Sequence, residues 1–371
     1  MTFRRSAPAA LIAASIVVIF TLTFVSNRLF SGLTDSIEQG QYQLMQSILT
    51  SALNNTAENA LARADIVANL DATREAVAAK DRDKLLAMYA EMYSVQHDRH
   101  GVGQSQFHVP PSVSLLRLHS PAAFGDDLTR SRPMVTAVNR DHQPRKGFAI
   151  ARSGPAIFGI APIHDKAGNP VGSFEFGIDF GPLLDQLKAT YGLEATLYVE
   201  EKPLHDFAKG VDPSIFSDQN RLSHFIRFHS TNALLMKDLI TDADISGVSE
   251  PVRYARNSDG VPYGVLLVPL KNGAGESLGV VAVARDFSAS RAAAGQSFVW
   301  QMAAAVFGIV FLSGAIVIVI RGFLLRPLQI VTSRLRSENG VDEAGEDTDK
   351  YCREIQELAE LHDKLKPGTG A

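Results

Sequence analysis

The chain has a single cysteine, Cys352, in 371 residues, so neither an intrachain disulfide nor a cysteine-built metal cluster is open to it. Common catalytic motifs are missing as well. There is no glycine-rich phosphate loop, no G-x-S-x-G elbow and no H-E-x-x-H helix. The histidines show no metal-ligand spacing beyond His97 and His100, which enclose Asp98 and Arg99 in a polar stretch that reads as solvated. Basic residues are unclustered and the net charge is −4, which removes a nucleic-acid surface. No catalytic residue, metal or cofactor is expected, and the chain does not read as an enzyme.

Charge is almost absent from two further stretches. Residues 9–25 (AALIAASIVVIFTLTFV) form one apolar run, extendable to 7–30 at the cost of Arg28, and residues 298–320 form the second. Each reaches the ~20 residues that cross a bilayer core as helix. Arg4 and Arg5 precede the first run, but no small-x-small cleavage site follows it, so an uncleaved anchor is expected rather than a signal peptide. Arg4, Arg5, Arg321 and Arg326 sit at one end of the two spans. The positive-inside rule then puts residues 1–6 and the C-terminal end in the cytoplasm, and residues 31–297 outside. Trp300 falls where an interfacial aromatic belongs.

Proline is missing from residues 33–97, and glycine there is confined to Gly40. Apolar residues recur at helical spacing (Leu44, Ile48, Leu53; Ala60, Ile66, Leu70; Ala76, Leu85, Met88, Met92). A stalk helix over about 33–100 is expected, whole or broken near residues 69–71, with Asp71 and Asp81 as cap candidates. Its stripe suits either a homodimer face or packing on its own domain.

A twenty-residue stretch then occurs twice, at residues 161–180 (APIHDKAGNPVGSFEFGIDF) and 268–287 (VPLKNGAGESLGVVAVARDF). The ungapped copies share Pro162/Pro269, Ala167/Ala274, Gly168/Gly275, Gly172/Gly279, Asp179/Asp286 and Phe180/Phe287. Each reads as a hairpin with a glycine turn. Repeats ~100 residues apart imply a duplicated module, here 101–190 and 191–290. Strands are expected at 106–109, 113–119, 148–152, 156–163 and 171–178, then at 195–200, 224–229, 252–255, 263–270 and 278–284. A helical or loop-helical segment is expected at 124–139, opening FGDDLTRS, and one helix at 232–245. The fold class is α+β, with two antiparallel sheets flanked by helices. A helix from residue 289 runs unbroken into the second span, 296–320.

Arg117 and His119 share strand parity, opposite to Leu116 and Leu118, which suits a strand lining a polar pocket. Asp126 and Asp127 follow at an expected helix start. There they either contact a ligand or merely cap the helix, with Arg117 paired to Asp127. Arg130 and Arg132 come a turn later. An Arg fork with a His donor favours a carboxylate-bearing small molecule. Phe107 and Phe158 are expected on its apolar side, with Tyr93 a further candidate. The second copy repeats Arg-x-His at Arg227 and His229 but lacks the FGDDL run.

A long helix and two tandem modules between two membrane spans resemble the double-Cache extracytoplasmic sensors of bacterial chemoreceptors and sensor kinases. The carrying residues are QFHVPPSVSLLRLHSPAAFGDDLTRSRP (106–133) and the twice-present P-x-x-x-x-x-G-x-x-x-G pattern. The resemblance covers about residues 33–292. It implies PAS-like modules, the first one farthest from the membrane and binding the ligand, and a two-pass protein of the bacterial inner membrane with a periplasmic sensor. Residues 324–335 (LLRPLQIVTSRL) and 354–365 (EIQELAELHDKL), joined by an acidic connector, are similar to a HAMP linker over 321–366. Such linkers pair across a dimer and imply a cytoplasmic signalling partner. Two rival readings differ in class: an accessory sensor acting on a separate kinase or chemoreceptor, favoured by the ending at Ala371, and a membrane-anchored hydrolase, disfavoured by the missing nucleophile motifs.

Overall fold

A computed structural model of the chain describes residues 3–272 and 275–326. Cys352 and nearly all of the HAMP-like segment lie outside the described residues. The chain divides into two units, residues 36–289 and the two ends that flank them. Among the described residues, two helices are long and apolar enough to cross a membrane, within Pro8–Ala68 and Ser288–Gly322, with mean hydropathy 2.4 and 2.8.

The proline-free stretch folds as three helices. Helix α1 (Phe3–Ala68) ends where the Asn69 amide donates to the Asp65 carbonyl (2.9 Å). Helix α2 (Asp71–Ala78) is preceded by Leu70, so Asp71 sits inside its first turn rather than at the cap. Asp81 does cap α3 (Arg82–His100), accepting from the Lys84 amide at 3.0 Å. The break falls at 69–70, where the sequence placed it.

The first sheet contains β1 (Val102–Val109) and β2 (Val113–Arg117). After helix α4 (Pro133–Asp141) come β3 (Arg145–Ala151), β4 (Gly154–His164) and β5 (Pro170–Asp179). Helix α5 (Phe180–Tyr191) then leads into the second module. That module holds β6 (Glu194–Glu200), α6 (Glu201–Phe207), the two-residue β7 (Arg221–Leu222) and β8 (Phe225–Ser230). Helices α7 (Ala233–Leu239) and α8 (Asp242–Ile245) precede β9 (Val252–Ser258), β10 (Val261–Lys271) and β11 (Ser277–Asp286). Helix α9 (Ser288–Val319) follows, with a π-helical turn at Ile320–Leu325. The single helix expected over 232–245 is two, because Thr241 and Asp244 close a capping box that starts a new one.

The strand order is β2-β1-β5-β4-β3 in one sheet and β7-β8-β6-β11-β10-β9 in the other, all antiparallel. Without the short β7 the two orders are the same. The duplicated hairpins agree residue for residue. Ala161 pairs Phe174 as Val268 pairs Val281, and Ile163 pairs Gly172 as Leu270 pairs Gly279. Each has a bulge one step later. Both turns put glycine at positive φ, Gly168 at 86° and Gly275 at 85°, a region closed to most side chains. Asp165 in the first copy and Asn272 in the second each accept the amide four residues on.

Along α1, Met45 and Leu49 pack with the second module's core, while Ala60, Ala64 and Val67 pack with the first. One face of the first sheet (Phe107, Leu116, Phe174, Phe176) is covered by α1, α2 and α3. On the other, α4 lays Met134, Val135 and Val138 over Phe158 and Ile160 of β4. That helix stops short of β1 and β2, and the site lies in the gap.

Candidate ligand-binding site

Strand alternation makes the uncovered face polar. On β1, Gln104, Gln106 and His108 alternate with Ser105, Phe107 and Val109; on β5, Ser173 and Glu175 alternate with Phe174 and Phe176. Gln106 pairs across to Arg117 on β2 and to Glu175 on β5. All these polar side chains are buried. Gln104 and Gln106 floor a cavity of about 180 Å³ whose walls include Arg117, His119, Asp126 and Arg132, while His108, Ser173 and Glu175 lie outside its lining. Arg152 stands at its edge, and Asp206, Phe207 and Lys209 reach it from the second module.

Arg117 holds Asp126 by two bonds, Nη1 donating to Oδ1 at 2.8 Å and Nη2 to Oδ2 at 2.7 Å, and also donates to the Ala123 carbonyl at 2.8 Å. The partners differ sharply in exposure, the arginine side chain at 3% and the aspartate at 47%. The guanidinium holds the Asp126 carboxyl below the usual carboxylate range.

No helix begins at Asp126, contrary to the sequence expectation. Residues 125–128 instead lie antiparallel along 112–114. Gly125 donates to the Ser114 carbonyl (2.8 Å), Ser114 to that of Asp126 (3.1 Å) and Leu128 to that of Ser112 (2.7 Å). Helix α4 starts only at Pro133, whose fixed φ suits a first helical position. Asp127 points away from the cavity. It is exposed and closes a local turn, accepting from the Thr129 amide (2.9 Å) and hydroxyl (2.6 Å).

Arg132 grips Glu175 in the same two-point way, at 2.9 and 2.6 Å, and lies 4.2 Å over the Phe158 ring. Burial opposes ionisation of Glu175, but the adjacent Arg132 charge prevails and its pKa falls to about 2. His108 donates or accepts at Ser173 Oγ (3.1 Å) and has Nε2 3.7 Å from Glu175. Burial lowers its pKa, so the ring is neutral at pH 7. Arg132 Nε and His108 Nε2 are buried with no hydrogen-bond partner. Burial likewise pushes His119 down to about 4. Its Nδ1 lies 3.2 Å from both the amide nitrogen and the carbonyl oxygen of Ser105.

Arg117, His119, Asp126 and Arg132 therefore meet around one cavity, whereas Asp127, Phe107, Phe158 and the further candidate Tyr93 do not reach its wall. Phe158 lies beneath the Arg132 guanidinium. Phe107 is on the opposite face, packed on Tyr89 and Phe174 (centroids 5.6 and 4.3 Å), because neighbours on a strand point opposite ways. Glu175 was legible in the alternation SFEFG, where it stands between two core phenylalanines. Asp206, Phe207 and Lys209 carried no local signal. In the second module Arg227 also donates to a carbonyl six residues on (Ala233, 3.3 Å), but its other partners are Asn220 and Gln219 rather than a carboxylate. His229 faces Asp185 at 3.2 Å.

Residues 37–290 match the family described as the double sensory domain of two-component sensor kinases. The chain belongs to this double-Cache family. Solved structures similar to this double-Cache chain include the sensor domain of the Vibrio cholerae histidine kinase DctB, at 11% identity and TM-score 0.39, covering 70% of this chain and 98% of that one. The sensory domain of the Campylobacter jejuni chemoreceptor Tlp3, solved with isoleucine, is similar at 10% identity and TM-score 0.36, covering 71% and 97%. An extracellular ligand binding receptor from Desulfohalobium retbaense shares 11% identity at TM-score 0.29. There the match covers 60% of this chain but spans only 40% of the receptor. Similarity this low says nothing about the ligand. Curated protein sequences give no match.

Proposed function

We propose that this chain is a two-pass membrane receptor whose first module binds a small carboxylate-bearing solute on Arg117, with His119, Asp126 and Arg132 around it. The Arg117–Asp126 pair carries the reading. A buried guanidinium is held by a half-exposed carboxylate on a loop, so a ligand carboxylate of the same shape can take the place of Asp126. The Arg152 side chain makes no hydrogen bond or ion pair among the described residues and adds positive charge at the edge. The solute is small, since the cavity is about 180 Å³.

Exchange releases Asp126, and with it the strip 125–128 that continues into Arg132 and α4. A ligand shifts the receptor only through unequal affinity for two packings, and helix displacements of about 1–2 Å are the usual scale. The output path we assign is α9, whose first turn is tied to β11 by Asp286 accepting from the Ser288 amide and hydroxyl (2.6 and 2.5 Å). From α9 the signal passes to the HAMP-like linker and a cytoplasmic partner. In this reading both termini are cytoplasmic, the modules face the periplasm with the first one distal, and α1 (Ile37 and Leu44 exposed) meets a second copy. The protein is a sensor and not an enzyme.

The test is a thermal-shift screen of small mono- and dicarboxylates and their uncharged analogues on the full chain in lipid nanodiscs. A ligand at 100 times its Kd adds about 2.7 kcal/mol. Arg117→Ala should abolish the shift. Wild-type affinity in that variant, or hits confined to uncharged solutes, overturns the proposal.

A further inference from the structure

A second and larger cavity lies between the two modules. It measures about 390 Å³, against about 180 Å³ for the Arg117 pocket, and falls within the range of small-molecule sites. One side is the start of α4 and strand β3; the other is the duplicated hairpin turn of the second module, at Asn272 and Glu276. The first module's copy of this turn is closed off differently, Lys166 pairing with Glu75 of α2 at 2.7 Å.

The lining combines an apolar floor with unspent positive charge. Met134, Phe148 and Leu278 supply the floor. The Arg130 and Arg140 side chains are exposed at the rim and hold no hydrogen bond or ion pair among the described residues. Arg145 is paired with Asp141, yet its Nε is buried without an acceptor, as is that of Arg132 on the wall shared with the smaller pocket. The one acid of the lining, Glu276, accepts from the Asn272 amide side chain (2.8 Å) within its own turn. Cations with free donors thus outnumber acids around an apolar cleft.

We infer that this junction is a second ligand site, distinct from the Arg117 pocket, for an amphipathic carboxylate: an apolar aromatic or aliphatic body with one anionic end. The body lies on Met134, Phe148 and Leu278, and the carboxylate meets Arg130 and Arg140. Such a ligand joins α4 of the first module to the β10–β11 turn of the second, and does so independently of the Arg117 site.

The probe is 3-phenylpropionate, titrated calorimetrically into the full chain in nanodiscs against empty discs, with 3-phenylpropylamine and 3-phenyl-1-propanol as matched controls. The acid should bind and the amine and alcohol should not. Arg130→Ala with Arg140→Ala removes two exposed side chains and should weaken binding at least tenfold, while Ala137→Trp, which fills the cleft, should abolish it. Arg117→Ala should leave it unchanged. Equal binding of the amine or alcohol, or wild-type affinity in the double variant, overturns the proposal. Loss of the probe in Arg117→Ala also overturns it, by placing the probe in the smaller pocket.

Discussion

Phe287 stands edge-on to Tyr42, ring centroids 5.3 Å apart and planes at 68°. Phe287 is the last residue before α9 and is fully buried; Tyr42 belongs to α1 and donates to the Tyr254 carbonyl at 2.7 Å. The contact fastens the outgoing chain to the incoming helix through the second module's core. Phe287→Ala should cost about 3–5 kcal/mol, the usual range for emptying a buried phenylalanine site. Tyr42→Phe keeps the ring and should cost about 1 kcal/mol for the lost hydrogen bond. Thermal unfolding of the two variants checks the order; equal midpoints would contradict it.

Asp126 competes with any ligand carboxylate for Arg117. Removing the competitor without emptying the site should therefore raise ligand affinity, and Asp126→Asn is the mildest way to do so. The Asp126 side is half exposed, so the pair contributes about 1 kcal/mol or less, and the expected gain in affinity is up to about fivefold. Titration of the carboxylate hit against wild type and Asp126→Asn decides; an unchanged or weaker Kd would show that Asp126 helps the ligand rather than mimicking it.

Glu175 and Arg132 make the most exacting polar contact of the first module, since both are buried. Glu175→Gln leaves an uncompensated guanidinium and should cost about 3–5 kcal/mol. The pH dependence has a definite sign. Glu175 titrates near 2 when folded and near 4.5 otherwise, so its contribution is complete above 4.5 and is lost as pH falls towards 2. His108 and His119, both lowered by burial, start their loss higher, as pH drops below 6.5. Melting temperature against pH should fall in two stages on acidification, and Glu175→Gln should lack the lower one.

Asp179 opposes that trend. Burial raises its pKa to about 6, although the nearby His97 works against it. Its folded pKa exceeds its unfolded value of 3.8, so its ionised form destabilises above pH 6 and the penalty vanishes below 3.8. Asp179→Asn should raise the melting temperature at pH 8, with the gain fading through pH 6 and gone below 4. A pH-independent gain would mean that packing rather than charge is responsible.

Local pattern carried the parts of this site that depend on strand parity and turn chemistry. Arg117 and His119 were placed together by alternation alone, and the paired hairpins by their glycines. The helix assigned at Asp126 failed because residues 125–128 spend their backbone groups on 112–114, a pairing that no local propensity signals. Phe107 faces the helices because it is one residue from Gln106, whose side chain takes the cavity side of β1. Helix α5 shows Phe180, Leu183, Leu184 and Leu187 at helical spacing, a pattern as legible as those of the stalk. Phe207 and Lys209 reach the cavity from another module, which only the three-dimensional fold can bring about.

The duplication itself can be tested at its glycines. A Cβ on Gly172 would lie 2.2 Å from the His108 carbonyl oxygen, and one on Gly279 2.4 Å from that of Tyr198. Both obstacles are backbone of the next strand, so alanine must push strands apart, at about 1–3 kcal/mol or more. Gly168 and Gly275 have open space but positive φ, and alanine there should cost only about 1–2 kcal/mol of backbone strain. Equal geometry predicts equal losses within each pair. The functional consequences should nevertheless diverge. Gly172→Ala displaces β1 at His108, beneath the Arg132–Glu175 pair, and should weaken carboxylate binding. Gly279→Ala displaces β6 in the second module and should leave that Kd unchanged. A Kd altered equally by both would refute the assignment of the carboxylate to the first module.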